Sequence, residues 1–348
     1  MTVSWAVTVK DAKLSDIYPG FVIVLLSQWG WRLVGIFRVI GHGRFPPFSN
    51  FIIIVGNYKL SGAGFACQEW ANCRRPHCEE IMITHYPGFS SSNVPSRQVD
   101  VWLPPSYEAD GDQRYPVLYM HDGQNLFDPA TSTHQIDWGI DEALEQLIAD
   151  GRVPPTIVVG VWNTAKRWHE YMPQRPFTTP ASLEVLRSMG PDWADGPQSD
   201  AYLRFLTQEL KPFIDATYRT RPERETTTIM GSSMGGLISL YALCEYPDVF
   251  AAAGCVSTHW PAGEGIVLDY LAQTLPAPGR HKLYFDYGTE ELDALYEPYQ
   301  QRADVILAAA GYTPEQDWIT RKFPGANHSE RAWRERVHIP LTFLLGAP

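Results

Sequence analysis

Ser233 stands in the run Gly231-Ser232-Ser233-Met234-Gly235, with a further glycine at Gly236. A serine used as a nucleophile must be lifted from the end of a strand on a very sharp turn. Glycines two residues before and two after it let the backbone pass without side-chain clash. Ser232 is the rival hydroxyl, but the glycine spacing selects Ser233. The chemistry of such a serine is attack on an acyl carbon. It needs a base for the hydroxyl proton, an acid to hold the base, and N–H donors for the developing oxyanion.

Downstream of Ser233 the histidines are His259, His281, His328 and His338. His328 lies in Gly325-Ala326-Asn327-His328-Ser329, after the last predicted strand, at the sheet edge where sites of open α/β sheets gather. It is the expected base. His281 precedes a strand and His338 falls in a helix, whereas His259 follows the strand after the nucleophile and is placed to line the cleft. The acid is expected after the strand 282–287, where Glu290, Glu291 and Asp293 offer three carboxylates. Glu291 ranks first, Asp293 second and Glu290 third. Its task is to fix the imidazole tautomer and stabilise the imidazolium. One oxyanion donor is the N–H of Met234, the residue after the nucleophile. The other is expected from Gln124 or Gly123, in the loop His121-Asp122-Gly123-Gln124-Asn125.

The elements that would hold these groups alternate. Residues 97–103 read as a strand near a sheet edge, ending at Pro104-Pro105. Residues 116–120, 156–161, 226–230, 250–256, 282–287 and 318–323 read as buried strands. Residues 141–149, 236–245, 303–310 and 330–345 read as helices, the last broken or kinked by Pro340. Strands alternating with helices and buried on both faces imply an α/β fold with a mostly parallel sheet covered on both sides. Residues 173–198, rich in Pro, Ser and Asp, read as an irregular lid.

The chain has 348 residues, 45% hydrophobic and 19% charged, enough for one large domain with a core. A net charge of −11 repels phosphate backbones, so nucleic acid is not an expected partner. Residues 1–80 read as a poorly specified extension, partly disordered, before a catalytic domain over 81–348. The apolar runs 21–26 and 51–55 fall short of the roughly 20 residues a membrane-spanning helix needs. Asp11 and Asp16 interrupt the basic region around Lys10 and Lys13, so no clear signal peptide is seen. Cys67, Cys73, His77 and Cys78 match no common zinc spacing, and no metal is expected.

These motifs resemble the putative-esterase family of α/β-hydrolases, which holds esterase D, feruloyl, acetylxylan and enterochelin esterases. The resemblance rests on residues 115–125, on Gly231 to Gly236, on Gly288-Thr289-Glu290 and on Gly325 to His328. It spans about residues 81–345, with Arg167, Glu170 and Tyr171 in a further matching stretch. It implies an α/β-hydrolase fold and hydrolysis of a carboxylic ester through an acyl-enzyme on Ser233, without a cofactor. The family's acid commonly stands three residues after the loop glycine, at Glu291 here, and in some relatives at the place of Asp293. The implied substrate is a small-molecule or carbohydrate ester: a sugar-linked acetyl or feruloyl ester, or a siderophore ester. Asp122, Trp162, Arg167, His259 and Trp260 are the expected substrate contacts, with Trp168, Trp193 and Trp333 further candidates. The alternatives are an acyltransferase on the same scaffold and a non-catalytic carbohydrate-binding relative.

Overall fold

A computed structural model of the protein describes residues 21–28, 31–38, 52–55, 83–109, 111–190, 193 and 195–346. The chain divides into Met1–Pro76 and His77–Pro348. In the first unit, strands Phe21–Gln28, Trp31–Arg38 and Ile52–Val55 form an antiparallel sheet. The disorder expected within residues 1–80 and the Cys67, Cys73, His77 and Cys78 cluster lie outside the described residues.

The second unit carries eight strands: β1 (Ile83–Phe89), β2 (Arg97–Trp102), β3 (Val117–His121), β4 (Ile157–Val161), β5 (Thr227–Ser232), β6 (Ala252–Val256), β7 (Lys282–Gly288) and β8 (Trp318–Phe323). Their order in the sheet is β8-β7-β6-β5-β3-β4-β2-β1. From β3 to β8 all neighbours are parallel, while β2 runs antiparallel to both β1 and β4. The helices are α1 (Ile140–Ala149), α2 (Arg167–Tyr171), α3 (Pro180–Ser188), α4 (Ser199–Arg204), α5 (Lys211–Thr217), α6 (Met234–Glu245), α7 (Ile266–Thr274), α8 (Glu297–Ala309), α9 (Glu330–Arg336) and α10 (His338–Leu345). A π-helical stretch, Phe205–Leu210, joins α4 to α5.

Strand side chains alternate between two cores. Val117, Tyr119, Ile157 and Val159 pack with α6, α7 and the 199–217 helical run. Leu118, Met120, Val158 and Met230 face the other way, against α1, α9 and α10. This is the mostly parallel, doubly covered α/β sheet of an α/β-hydrolase. Helix α6 is buried almost all round, because it follows the turn at Ser233 straight into the core.

The strand at 97–102, expected near a sheet edge, is second from it, with β1 pairing outside it in an exposed, irregular register. Two expectations differ from the structure. The stretch 173–198 contains α3, begun by a reciprocal Thr179/Ser182 capping box and a proline in its first turn. The last helix breaks at Val337, not at Pro340. Pro340 falls in the first turn of α10, where its missing N–H has no intrahelical acceptor to lose. Among the described residues no helix is long and apolar enough to cross a membrane.

Candidate active site

The site forms at the ends of β3, β5, β6, β7 and β8. The residue directly after each of three neighbouring strands has left-handed backbone: Asp122 after β3 (φ 57°), Ser233 after β5 (φ 58°) and Ser257 after β6 (φ 41°). Non-glycine residues hold such angles only when their surroundings over-determine them. At Ser233 (ψ −120°) the surroundings are backbone. Its N–H donates to Val256 O at 2.9 Å, and its carbonyl accepts from Gly236 and His259 N–H at 3.0 and 3.1 Å. Ser232 is buried in β5, whereas Ser233 is only partly buried, so the hydroxyl that reaches the cleft is that of Ser233. Met234 opens α6, and its N–H belongs to the first turn, which has no intrahelical acceptors.

His328 and the carboxylates are brought together by stitched loops. Thr289 and Glu290 N–H both donate to Ala326 O, at 2.9 and 3.0 Å, tying the loop after β7 to the loop after β8. Gly288 has no room for a side chain here, since a Cβ would lie 2.1 Å from Ala326 O. Asp293, wholly buried, places Oδ1 2.5 Å from His328 Nδ1. Its Oδ2 accepts from Ser257 Oγ and from Gly288 N–H, each at 2.7 Å. Burial alone would raise the Asp293 pKa; the bonds from His328, Ser257 and Gly288 overcome it and hold the group below its ordinary value. Glu291, ranked first from sequence, does not meet His328. Its own left-handed φ of 53° turns it outward, where Oε1 accepts from Asn327 Nδ2 at 3.4 Å. Glu290 is also at the surface.

The rings around His328 complete the wall. Trp333 and Tyr296 meet its imidazole edge-on at 5.0 and 5.8 Å. Ser233 is a hydrogen-bonding neighbour of the Tyr296 hydroxyl, and Tyr296 in turn pairs with His259 Nδ1 at 2.8 Å. Burial, with the charges of His328 and Arg167, lowers the His259 pKa to about 4, so it is neutral at physiological pH.

The loop after β3 is clamped on all sides. Gly123 lies against β4 so closely that a Cβ would stand 2.5 Å from the Gly160 carbonyl carbon. Arg167 forks onto Asp122 with Nε to Oδ1 at 2.7 Å and a second N–H to Oδ2 at 2.8 Å, and Asn163 adds a third bond at 2.6 Å. Gln124 O accepts from Thr131 at 2.7 Å and its Oε1 from Asn163 N–H at 3.3 Å. Behind the loop, His121 pairs with Tyr202, and its burial lowers its pKa to about 3. Asp122 and Arg167, expected to contact substrate, are thus engaged with each other.

The tryptophans divide. Trp260 is core: it is 1% exposed, stacks on Phe285 and donates to Gln300, so it presents no surface to a ligand. Trp162 donates to Asp100 at 2.6 Å and is half-buried. Trp193 packs against His169, 4.8 Å between ring centres. Trp168 is 47% exposed with its ring edge-on to His259 at 5.9 Å, an exposed aromatic beside the site. Sequence reasoning missed Ser257, Tyr296 and Arg336. The available signal for Ser257 was a polar residue directly after the apolar strand 250–256. Among the described residues the one group suggestive of a metal, Asp137, Asp141 and Glu142, is bridged by Arg334 through Asp137 and Glu142.

The strand order and the serine turn define an α/β-hydrolase. The family model described as "Putative esterase" matches residues 90–338, and the chain belongs to that family as a carboxylic ester hydrolase. It is 29% identical over 206 residues to the uncharacterised YbbA of Bacillus subtilis, covering 58% of this chain and 72% of that one. It is 32% identical over 151 residues to the ferri-bacillibactin esterase BesA of the same organism, covering 42% of this chain and 49% of that one. A ferulic acid esterase structure superposes with a TM-score of 0.56 at 19% identity, over 76% of this chain and 98% of that one. The enterobactin esterase FES of Shigella flexneri gives 0.56 at 20% identity, over 76% and 59%.

Proposed function

We propose that the protein hydrolyses carboxylic esters through an acyl-enzyme on Ser233, with His328 as base and Asp293 as acid. The observation that carries the reading is the 2.5 Å Asp293–His328 contact at the same sheet edge as the strained serine turn. An ionised Asp293 accepts the Nδ1 proton, which leaves the His328 Nε2 lone pair for the serine proton. Ser233 attacks the acyl carbon, and the imidazolium returns the proton to the leaving alcohol. Water then repeats the sequence to release the acid. Met234 N–H and Gln124 N–H serve the oxyanion, each worth about 3 kcal/mol of transition-state stabilisation. The bonds that hold Gln124 through its O and Oε1, and its place in the first turn of the short 3-10 helix Gly123–Asn125, support that role, since a donor fixed in advance costs no reorganisation.

For substrate we propose a sugar-linked acetyl or feruloyl ester or a siderophore ester. The names of BesA and of the ferulic acid esterase support this range, as does Trp168, exposed beside the site. Fluorophosphonate labelling and hydrolysis of 4-nitrophenyl acetate test the mechanism together. Ser233→Ala is expected to abolish both, and labelling that survives it sinks the assignment. Methyl ferulate, acetylated xylan and a ferric catecholate siderophore, offered side by side, rank the substrate classes.

A further inference from the structure

Behind Asp293 lies a buried polar cluster that the mechanism above does not use. Ser257 N–H donates to Asp286 Oδ1 at 2.9 Å, and Ser257 Oγ lies 2.7 Å from Asp293 Oδ2. One serine therefore faces two carboxylates, its backbone on one and its side chain on the other. Asp286 is held by Arg336 through Nε and a terminal nitrogen at 3.0 and 3.1 Å, and by the Tyr284 hydroxyl at 2.7 Å. Ser257, Asp286 and Asp293 are all at most 1% exposed.

The direction of each bond follows from chemistry alone. Trp333 Nε1 approaches Ser257 Oγ at 3.0 Å and Arg336 at 2.9 Å. Indole and guanidinium nitrogens donate and cannot accept. Both lone pairs of the hydroxyl are therefore taken, and its single proton has one place to go, Asp293 Oδ2. With Gly288 N–H on that same oxygen, Oδ1 is left to His328.

We propose that Ser257 is a positioning residue for the triad, its hydroxyl proton fixing how Asp293 shares its charge with His328. The inference rests on the functional reading above. The titratable and charged groups packed around the serine are Asp286, Arg336, Asp293 and His328, and those that face the Asp293–His328 pair from the other side are Tyr296 and His259. Arg336 is balanced by Asp286, so the cluster orients Asp293 without placing a bare cation against it. Without the serine proton, Asp293 has one donor fewer and becomes a stronger acceptor for His328. That favours the imidazolium and moves the acid limb of kcat/KM to higher pH.

The test uses Ser257→Gly, because glycine tolerates the φ of 41° and removes only the hydroxymethyl group. The expected result is kcat lower by about tenfold with KM within about twofold, because Asp293 loses one of the two donors that hold its Oδ2 and no longer fixes the His328 ring in one orientation. The acid limb is expected about half a pH unit higher, with a melting temperature lower by several degrees because Trp333 and Arg336 lose their acceptor, but with the fold retained. A fall in kcat of under threefold overturns the proposal, and so does a larger fall with an unmoved limb. Ser257→Cys, whose thiol donates weakly, is expected to shift the limb less; if Ser257→Gly fails to fold, an unmoved limb in Ser257→Cys overturns the proposal. The low-field proton NMR resonance of His328 Nδ1–H separates this inference from the functional one. A wild-type chain that cleaves no ester refutes the esterase reading, while a resonance that Ser257→Gly leaves in place refutes the positioning role.

Discussion

Asp293 and His328 meet at 2.5 Å inside the fold, while Glu291, two residues before Asp293, turns to solvent. Asp293→Asn would present an amide that favours the wrong imidazole tautomer. It is expected to lower kcat by about 10⁴-fold, the scale of the same change in a serine-protease triad. Glu291→Gln is expected to change kcat by less than about twofold. Steady-state kinetics on one activated ester compares them, and the reverse ranking returns the acid to Glu291.

Arg97 and Glu170 form a doubly hydrogen-bonded ion pair at 2.7 and 3.0 Å, with side chains at most 1% exposed. The Arg97 guanidinium also lies over the rings of Tyr202 and Phe205. Glu170→Gln leaves that cation buried without its counter-charge and is expected to cost about 3–5 kcal/mol of stability. Urea unfolding measures it; a loss below about 1 kcal/mol would show that the pair contributes little.

His259 carries a pKa of about 4 against an ordinary 6.5. The unfolded chain binds this proton more readily, so stability from the neutral ring is complete above pH 6.5 and is lost as pH falls toward 4. His259→Gln is expected to lose less stability than wild type between pH 6.5 and 4. Melting temperatures across that range check this, and parallel curves for the two proteins would contradict it.

Arg167 holds the loop proposed to serve the oxyanion through a planar fork on Asp122. Lysine keeps the charge but cannot form the fork. Arg167→Lys is therefore expected to lower kcat about tenfold with little loss of fold. A KM effect without a kcat effect would instead assign Arg167 to substrate contact.

The serine turn was legible because its geometry is local: two glycines, a β-branched strand and an apolar helix announce it. The parallel sheet was legible for the same reason. Which carboxylate meets His328 was narrowed only to Glu291 or Asp293, because distance along the chain from Gly288 says nothing of which way the 3-10 turn Glu291–Leu295 points each one. Trp260 misled for a related reason: a tryptophan beside an active-site loop reads alike whether it faces the cleft or Phe285. The cluster of Ser257, Asp286, Trp333 and Arg336 draws on β7, α9 and the end of β6, and only the folded chain assembles it.

The left-handed backbone at Asp122, Ser233 and Ser257 has a consequence for anyone who would harden this enzyme. Each non-glycine residue there carries about 1 kcal/mol or more of conformational strain. Laboratory selection for heat tolerance, blind to turnover, would reward glycine at Ser233, whereas at Asp122 and Ser257 the bonds lost to Arg167, Trp333 and Arg336 outweigh the strain relieved. It would thereby erase the hydroxyl proposed as nucleophile, and the most durable descendants would be the most inert.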